Sequence, residues 1–189
     1  SIMKDAGCNQ LQCGVESLLP EALKNMKKKV TLDHIKTFFS LANQLNIKTM
    51  GYFILGFPEE DERYRQRFFD EMMQLNPSYM YLSILYPLAK TPLYKDLLTK
   101  GIYKKDHWAE FFNKPVRDFD LPLWRPKELQ DELKAMLHES YKRFYLSPRF
   151  IVADLKRNAS AKMLAKKARL AFNLMFSKSH QFFGRKLGS

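Results

Sequence analysis

Apolar residues in the first half of the chain form short runs, separated by longer segments in which they recur at helical spacing. The clearest run, residues 49–55, is interrupted only by Gly51. It predicts a strand buried on both faces, as in a parallel sheet. Gly56 then lets the backbone approach a ligand closely, and Pro58 ends the strand. Since α/β sheets bind ligands at the carboxyl ends of strands, the run predicts either a ligand loop or an ordinary strand, turn and helix.

Two further strands and three helices are predicted around this central strand. The strands cover residues 10–17 and 79–86, and the helices cover 20–29, the segment capped by Thr31, and 61–75. Alternating strands and helices at this spacing imply right-handed parallel crossovers. Residues 8–90 therefore predict an α/β fold, as part of a barrel or of a doubly wound sheet.

The predicted sheet is too small to be complete. A closed barrel takes about eight strands, and an apolar parallel sheet of three would leave an exposed edge. The first residues also read as the last turn of a helix that ends at Gly7. We therefore expect the chain to be a fragment that begins within a fold.

The second half of the chain has a different pattern, with helices and loops instead of strands. The predictions are a short helix over 91–100, a loop-rich stretch anchored by Trp108 and Trp124 over 102–126, and a longer helix over 126–145 interrupted by Pro148. With the basic segment that follows, the chain divides into three predicted parts, residues 1–90, 91–150 and 151–189.

Positive charge is concentrated in the last part. The 189 residues carry a net charge of +12, and residues 151–189 hold nine Lys or Arg against one acid, Asp154, a local charge of +8. Apolar residues recur at helical spacing there, which predicts a basic amphipathic helix. Such a helix either docks on the rest of the protein or lies on an anionic membrane surface, and nucleic acid is the less favoured partner.

Carboxylates follow two of the predicted strands. Glu16 stands with Ser17 at the end of the first, and Glu59, Glu60 and Asp61 follow the central one. Carboxylates in such positions can accept hydrogen bonds from ribose hydroxyls or from an amino group. Because no Gly-rich loop with a lysine is present, a nucleoside-like ligand fits better than a phosphate. Taken singly, each acid is also explained as a charge at a helix N-terminus.

Metal-binding and nucleophilic motifs are missing from the sequence. Cys8 and Cys13 have no third cysteine, the four His are scattered, and no catalytic triad can be assembled, so we predict no metal ligand and no catalytic residue in this chain. The low cysteine content and the lack of a long apolar run favour a cytoplasmic protein.

Several pieces of sequence, in their order and spacing, resemble the radical S-adenosylmethionine (radical SAM) superfamily, and most closely its branch with an N-terminal cobalamin-binding domain. The pieces are Ala-Gly-Cys at 6–8, Leu-Gln-Cys-Gly-Val-Glu-Ser at 11–17, Lys-Lys-Val-Thr at 28–31 and Gly-Tyr-Phe-Ile-Leu-Gly-Phe-Pro at 51–58. Residues 91–94, 100–101, Trp108 and 143–150 resemble the C-terminal part of the same branch.

The resemblance implies an α/β fold, a partial (β/α) TIM-like barrel of which only the second half is present, followed by a mainly helical C-terminal region. Residues 1–90 would be this half-barrel, 91–150 an extension packing on it, and 151–189 the basic tail. The implied S-adenosylmethionine contacts are Glu16, with Ser17, at the ribose; Ile54, Gly56 and Phe57 along the adenine and methionine; Glu60 in the same loop; and Tyr86 at the adenine or substrate side.

The chain also departs from the family pattern. The three-cysteine motif that holds a [4Fe–4S] cluster is absent, so the cluster ligands, like the cobalamin domain, would lie outside this chain. Residues 59–61 replace the Gly-Glu-Thr usual after the proline, and Ala89 and Lys90 replace a Pro-Gly pair. Both replacements remove glycine from loops near the implied ligand.

The resemblance implies an enzyme in the intact parent, which cleaves S-adenosylmethionine reductively to a 5′-deoxyadenosyl radical and, with cobalamin, transfers a methyl group. Its substrate would be a small or lipid-like molecule, and the chain alone would be inactive. Two alternatives stay open: a non-catalytic basic α/β module that docks on membrane or RNA, and a radical enzyme without cobalamin, such as a methylthiotransferase relative.

Overall fold

The computed structural model describes residues 2–119, 121 and 124–157. The chain divides into two compact units, one comprising the residues up to Ile84 together with those from Lys134 onwards, the other Leu85–Leu133. The elements are α1 (Ile2–Asp5), β1 (Gln10–Glu16), α2 (Pro20–Asn25), α3 (Leu32–Gln44), β2 (Lys48–Leu55), α4 (Glu62–Gln74), β3 (Tyr79–Ile84), α5 (Pro92–Thr99), α6 (His107–Asn113), α7 (Lys127–Tyr145) and α8 (Pro148–Arg157).

The first unit contains a three-stranded parallel sheet in the order β1-β2-β3. Cys13 pairs with Gly51, which in turn pairs with Met80, and the register between β1 and β2 shifts between Gly14 and Glu16. The predicted α/β class and the parallel crossovers are confirmed. The three strands form an open sheet in the described part of the chain.

One face of the sheet is buried and the other is half-exposed. Along β2, burial alternates from residue to residue, and Phe53 and Leu55 are completely buried. Phe53 packs edge-on against Phe68 of α4, with ring centroids 6.0 Å apart. A Cβ atom at Gly51 would lie 2.7 Å from the Phe53 ring and 3.3 Å from the Phe39 ring of α3, so only glycine leaves room for both rings. The prediction of a strand buried on both faces is therefore wrong for the described residues, because the packing of α3 and α4 buries a single face.

Two tyrosines of α7 close the outer edge of β3. The Met80 N–H donates to Tyr145 Oη at 3.2 Å, and the Tyr145 hydroxyl donates to the Met80 carbonyl at 2.6 Å. Tyr141 makes the same pair of bonds with Leu82, both at 3.0 Å. An edge strand normally presents such backbone groups unpaired. Here side chains satisfy them.

The helix ends follow the sequence signals closely. Thr31 caps α3 by accepting from the His34 N–H at 3.2 Å, and Asp61 caps α4 by accepting from the Tyr64 N–H at 2.6 Å. Gly7 and Gly101 follow their helices with φ of 85° and 66°, as the sequence predicts. These caps confirm the predicted starts of α3 and α4.

Helix α2 is shorter than predicted, since it ends at Asn25 and not near residue 29. Lys27 adopts a left-handed conformation, with φ of 55°, and the Lys28 N–H donates back to the Leu23 carbonyl at 3.0 Å. The chain therefore leaves the helix early, and Lys28 becomes available to β1.

The second unit has its own small core of Tyr94, Leu97, Tyr103 and Leu121, against which Trp108 and Trp124 pack. Its stretch 102–126 was predicted to be loop-rich, and this is wrong for His107–Asn113, which form α6. Asp106 caps this helix by accepting from the Ala109 N–H at 3.0 Å. Helix α6 has only seven residues, and its aromatic side chains lie on several sides. The sequence therefore shows no clear helical period there, and the helix was not predicted.

The apolar residues on which the predicted basic helix depends, over 163–175, lie outside the described residues, and only the first residues of the predicted tail are described. Helix α8 covers Pro148–Arg157, while the rest of the predicted tail lies outside the described residues. None of the helices in the described part of the chain has the length and apolar character needed to cross a membrane.

Candidate functional site

The end of β1 holds a carboxylate on an unusual backbone. Glu16 has φ of 67°, a left-handed conformation that non-glycine residues adopt rarely and at a cost of about 1–3 kcal/mol. It follows directly on the shift in register between β1 and β2. Bulges of this kind re-aim side chains at strand ends, often beside functional sites.

Lys28 holds this carboxylate in place. Its Nζ donates to the Gly14 carbonyl and lies 3.3 Å from Glu16 Oε1. The Lys28 and Glu16 side chains are 26% and 28% exposed, so the ion pair is partly shielded but still accessible. A Cβ atom at position 14 would lie 2.5 Å from Glu16 Oε1, so a larger residue there would displace the carboxylate. Burial is the main cause of the raised pKa of the adjoining Cys13 thiol.

The loop after β2 is folded around Glu60. Gly56 has φ of 94°, and its N–H donates to the buried Glu60 Oε2 at 2.8 Å. The Glu60 N–H donates to the Phe57 carbonyl at 3.1 Å, and Arg65 Nη1 donates to the Glu60 carbonyl at 3.2 Å. The Glu60 carboxylate is thus directed into the loop, and it fixes the backbone of Gly56.

Glu59 connects this loop with α2 and keeps one oxygen uncommitted. Asn25 Nδ2 donates to Glu59 Oε1 at 2.6 Å. Glu59 Oε2 is buried and has no hydrogen-bond partner among the described residues. Because a buried acceptor without a donor is costly, this atom is suited to accept a hydrogen bond from a bound ligand.

The other predicted site residues lie in different surroundings. Ser17 is fully buried, where its Oγ accepts from the Leu19 N–H at 3.1 Å and lies 3.3 Å from Tyr64 Oη. Phe57 is 5% exposed, and Ile54 is half-buried on the open face of the sheet. Tyr86 belongs to the second unit and is 43% exposed. The structure therefore brings Glu16, Ile54, Gly56 and Glu60 to the ends of two paired strands, β1 and β2.

The open face of the sheet carries a row of residues that the sequence analysis did not single out. The Tyr52 hydroxyl donates to Gln12 Oε1 at 2.8 Å, and the Tyr52 and Tyr81 rings lie 5.6 Å apart. Tyr52 and Tyr81 alternate with buried residues along β2 and β3. The alternation of two residues in the sequence therefore indicated that these side chains share one face of the sheet. This signal was hidden because an almost unbroken apolar run predicts burial on both faces.

The described residues do not fit an iron–sulfur cluster. They contain no group of three or more His, Cys, Asp or Glu side chains that could hold a metal ion. Cys8 and Cys13 are both free thiols. The fit to a nucleoside ligand is better, since the ends of β1 and β2 offer a half-exposed carboxylate, an unsatisfied buried oxygen and a glycine backbone.

Comparisons with known proteins give a consistent picture. Residues 1–72 match the model of the radical SAM superfamily. An uncharacterized methyltransferase of Pyrococcus horikoshii is 25% identical over 158 residues, which are 81% of this chain and 32% of that protein. The bacteriochlorophyllide d C-12(1)-methyltransferase of Chlorobaculum tepidum is 32% identical over 93 residues, 49% of this chain and 20% of that protein. The chain thus matches a third of the length of these relatives or less.

Proposed function

Since the chain belongs to the radical SAM superfamily, we propose that its first unit is the second half of a partial (β/α) barrel that binds S-adenosylmethionine at the ends of β1 and β2. The observation that carries the proposal is the Glu16–Lys28 pair, which stands on a strained backbone beside the Gly56 loop. Neither feature is needed to complete the sheet. The Glu16 carboxylate stays partly exposed at the edge where α/β proteins bind ligands.

Glu16 would accept hydrogen bonds from the ribose hydroxyls, and Lys28 would keep its carboxylate in that orientation. Ile54 and the Gly56 backbone would contact the adenine, and Glu59 Oε2 would accept from a ligand N–H or O–H. Phe57 and Tyr86 stay predicted contacts of the adenine or substrate. Ser17 and Glu60 would act indirectly, because the Leu19 N–H already occupies the Ser17 hydroxyl and the Gly56 N–H the Glu60 carboxylate.

Bound S-adenosylmethionine supplies either a methyl group or, after reduction by a [4Fe–4S] cluster, an organic radical. Since the described residues do not fit a cluster, its ligands would come from a part of the parent protein outside this chain. For the same reason we propose that the chain alone binds the cofactor without turning it over. The two free cysteines fit a reducing, cytoplasmic location.

Methyl transfer is the reaction we propose for the intact parent. The support is that both relatives are named as methyltransferases, one of them with a bacteriochlorophyllide substrate. Cobalamin, bound by a further domain, would be the methyl carrier, as the resemblance to the cobalamin-binding branch implies.

The test is equilibrium dialysis of the 189-residue chain with radiolabelled S-adenosylmethionine. Glu16→Gln should weaken binding by about tenfold, since charge-assisted hydrogen bonds contribute about 1.5–3 kcal/mol. Glu21→Gln is the matched control, because Glu21 is an exposed acid in the first turn of α2. Equal affinities of the two variants would remove Glu16 from the site, and no binding by the unmodified chain would favour the non-catalytic binding module.

A further inference from the structure

Helix α8 is anchored to the first unit through one face. The Ser147 hydroxyl caps it by accepting from the Phe150 N–H at 3.2 Å. The Phe150 ring packs against Tyr79, Phe144 and Tyr145, with centroids 6.2, 5.6 and 4.8 Å apart. These contacts fix which side of the helix is turned towards solvent.

The opposite side of α8 is apolar and exposed. Ile151, Val152 and Leu155 are 43%, 51% and 46% exposed. At 3.6 residues per turn they lie within an arc of about 100°, pointing away from Phe150, and we call them the α8 stripe. Single exposed apolar residues need no explanation, but three on one side of a short helix form a contiguous patch.

The charge around the α8 stripe favours an anionic partner. Arg149, in the first turn of α8, is exposed, and residues 156–189 contain nine Lys or Arg and no Asp or Glu. A second copy of the chain would bring the same positive charge, and would therefore be repelled. RNA would attract the charge, but its bases stack on aromatic side chains, whereas the α8 stripe is aliphatic.

We propose that α8 binds the surface of an anionic lipid bilayer, with the α8 stripe inserted at the boundary between headgroups and acyl chains. An aliphatic face combined with adjacent Lys and Arg is the composition of helices that lie in this interface. Binding strength should depend on both terms, apolar burial and attraction to anionic headgroups. The enzyme site would then work close to a membrane.

The experiment is co-flotation of the 189-residue chain with vesicles of phosphatidylcholine alone, or containing about 30% phosphatidylserine. The double variant I151S/L155S removes the aliphatic side chains without changing the charge. Leu41→Ser is the matched control, because Leu41 is a 52% exposed leucine on α3 of the same unit. Far-UV circular dichroism melting curves check that both variants fold.

We expect the unmodified chain and L41S to float with the phosphatidylserine vesicles and to bind phosphatidylcholine weakly. I151S/L155S should bind the anionic vesicles about tenfold more weakly, given the apolar area of two half-exposed side chains. Equal binding of I151S/L155S and the unmodified chain would overturn the proposal, since charge alone would then account for the association.

Two further outcomes would also overturn it. One is failure of the unmodified chain to float with anionic vesicles, which would mean that another segment or protein covers the α8 stripe. The other is a higher affinity for a single-stranded RNA than for the vesicles at the same salt concentration. An I151W variant provides a second readout, because its added tryptophan emission should shift to the blue with anionic vesicles, whereas that of L41W should not.

Discussion

Polar groups are paired differently at the carboxyl end of β1 and at the outer edge of β3. At the β3 edge, Tyr141 and Tyr145 satisfy both the N–H and the C=O of Leu82 and Met80. At the end of β1, Glu16 occupies a strained backbone and presents a half-exposed carboxylate that one lysine holds. At the β3 edge, side chains of the same chain satisfy the backbone groups. At the end of β1, the carboxylate can still accept hydrogen bonds from a ligand.

This difference indicates that the β3 edge contributes to stability and the end of β1 to ligand binding. Side chains at the β3 edge should matter for folding and little for ligand affinity, because their partners are backbone groups of the same unit. Side chains at the end of β1 should matter for affinity and little for folding. Substitutions in the two regions can therefore test the comparison directly.

The largest effect is expected at the β3 edge. The double variant Y141F/Y145F leaves backbone groups of Met80 and Leu82 without partners and should lower the free energy of unfolding by about 2–5 kcal/mol. Urea denaturation followed by circular dichroism measures it. Tyr81→Phe is the control, because Tyr81 is 50% exposed on the open face, and its change should stay within about 0.5 kcal/mol. A similar loss in both variants would mean that the edge bonds are not specially important.

The same edge predicts a sensitivity to alkaline pH. Burial raises the pKa of Tyr145 at this edge to about 12. Burial also raises the pKa of Tyr64, which lies in α4 away from the β3 edge, to about 12. Unfolded tyrosine ionises near pH 10, so the unfolded state releases protons that the folded state keeps. The free energy of unfolding should therefore decrease between about pH 10 and 12. Y145F should show a shallower decrease over that range, and an unchanged slope would contradict the assignment.

An intermediate effect is expected in the Gly56 loop. Glu60→Ala removes the acceptor of the Gly56 N–H and should cost about 1–3 kcal/mol of stability, together with affinity for S-adenosylmethionine. Glu60→Gln keeps an oxygen acceptor, so it should retain most of both quantities. Denaturation and dialysis on the same two variants provide the comparison. If E60Q lost affinity as fully as E60A, the carboxylate charge itself would contact the ligand.

The smallest effect on stability is expected at Glu16. Glu16→Gly relieves the left-handed backbone but removes the ion pair with Lys28, so the free energy of unfolding should change by about 0–1 kcal/mol in the stabilising direction. Its affinity for S-adenosylmethionine should nevertheless fall about tenfold or more. A destabilised E16G variant with normal affinity would reverse the comparison between the two regions.

The sequence predicted the elements whose signals are local. Thr31 and Asp61 are caps with a strong local preference, so the starts of α3 and α4 were predictable. Helix α6 was not, because seven aromatic-rich residues are too few to show a period. The early end of α2 depends on the left-handed Lys27, and no residue type there demands that conformation.

The candidate site was predictable in its location and only partly in its detail. Glu16 and Gly56 were found because they stand at the ends of two predicted strands, and the family resemblance implied their roles. The direction of the Glu60 side chain, towards the Gly56 N–H, depends on how the loop folds back, which spacing does not reveal. The role of Lys28 depends on the early end of α2, and the Gln12–Tyr52 pair depends on which face of the sheet is open.

The most direct test of the account is a titration of the isotope-labelled chain with S-adenosylmethionine, followed residue by residue in ¹H–¹⁵N nuclear magnetic resonance spectra. This method detects weak binding and locates it. We predict that the amide signals of Glu16, Ile54 and Gly56 shift together as the ligand is added, and that methionine alone leaves the Glu16 signal in place. Shifts confined to Leu85–Leu133, or no shifts in the first unit, would contradict a binding site at the ends of β1 and β2.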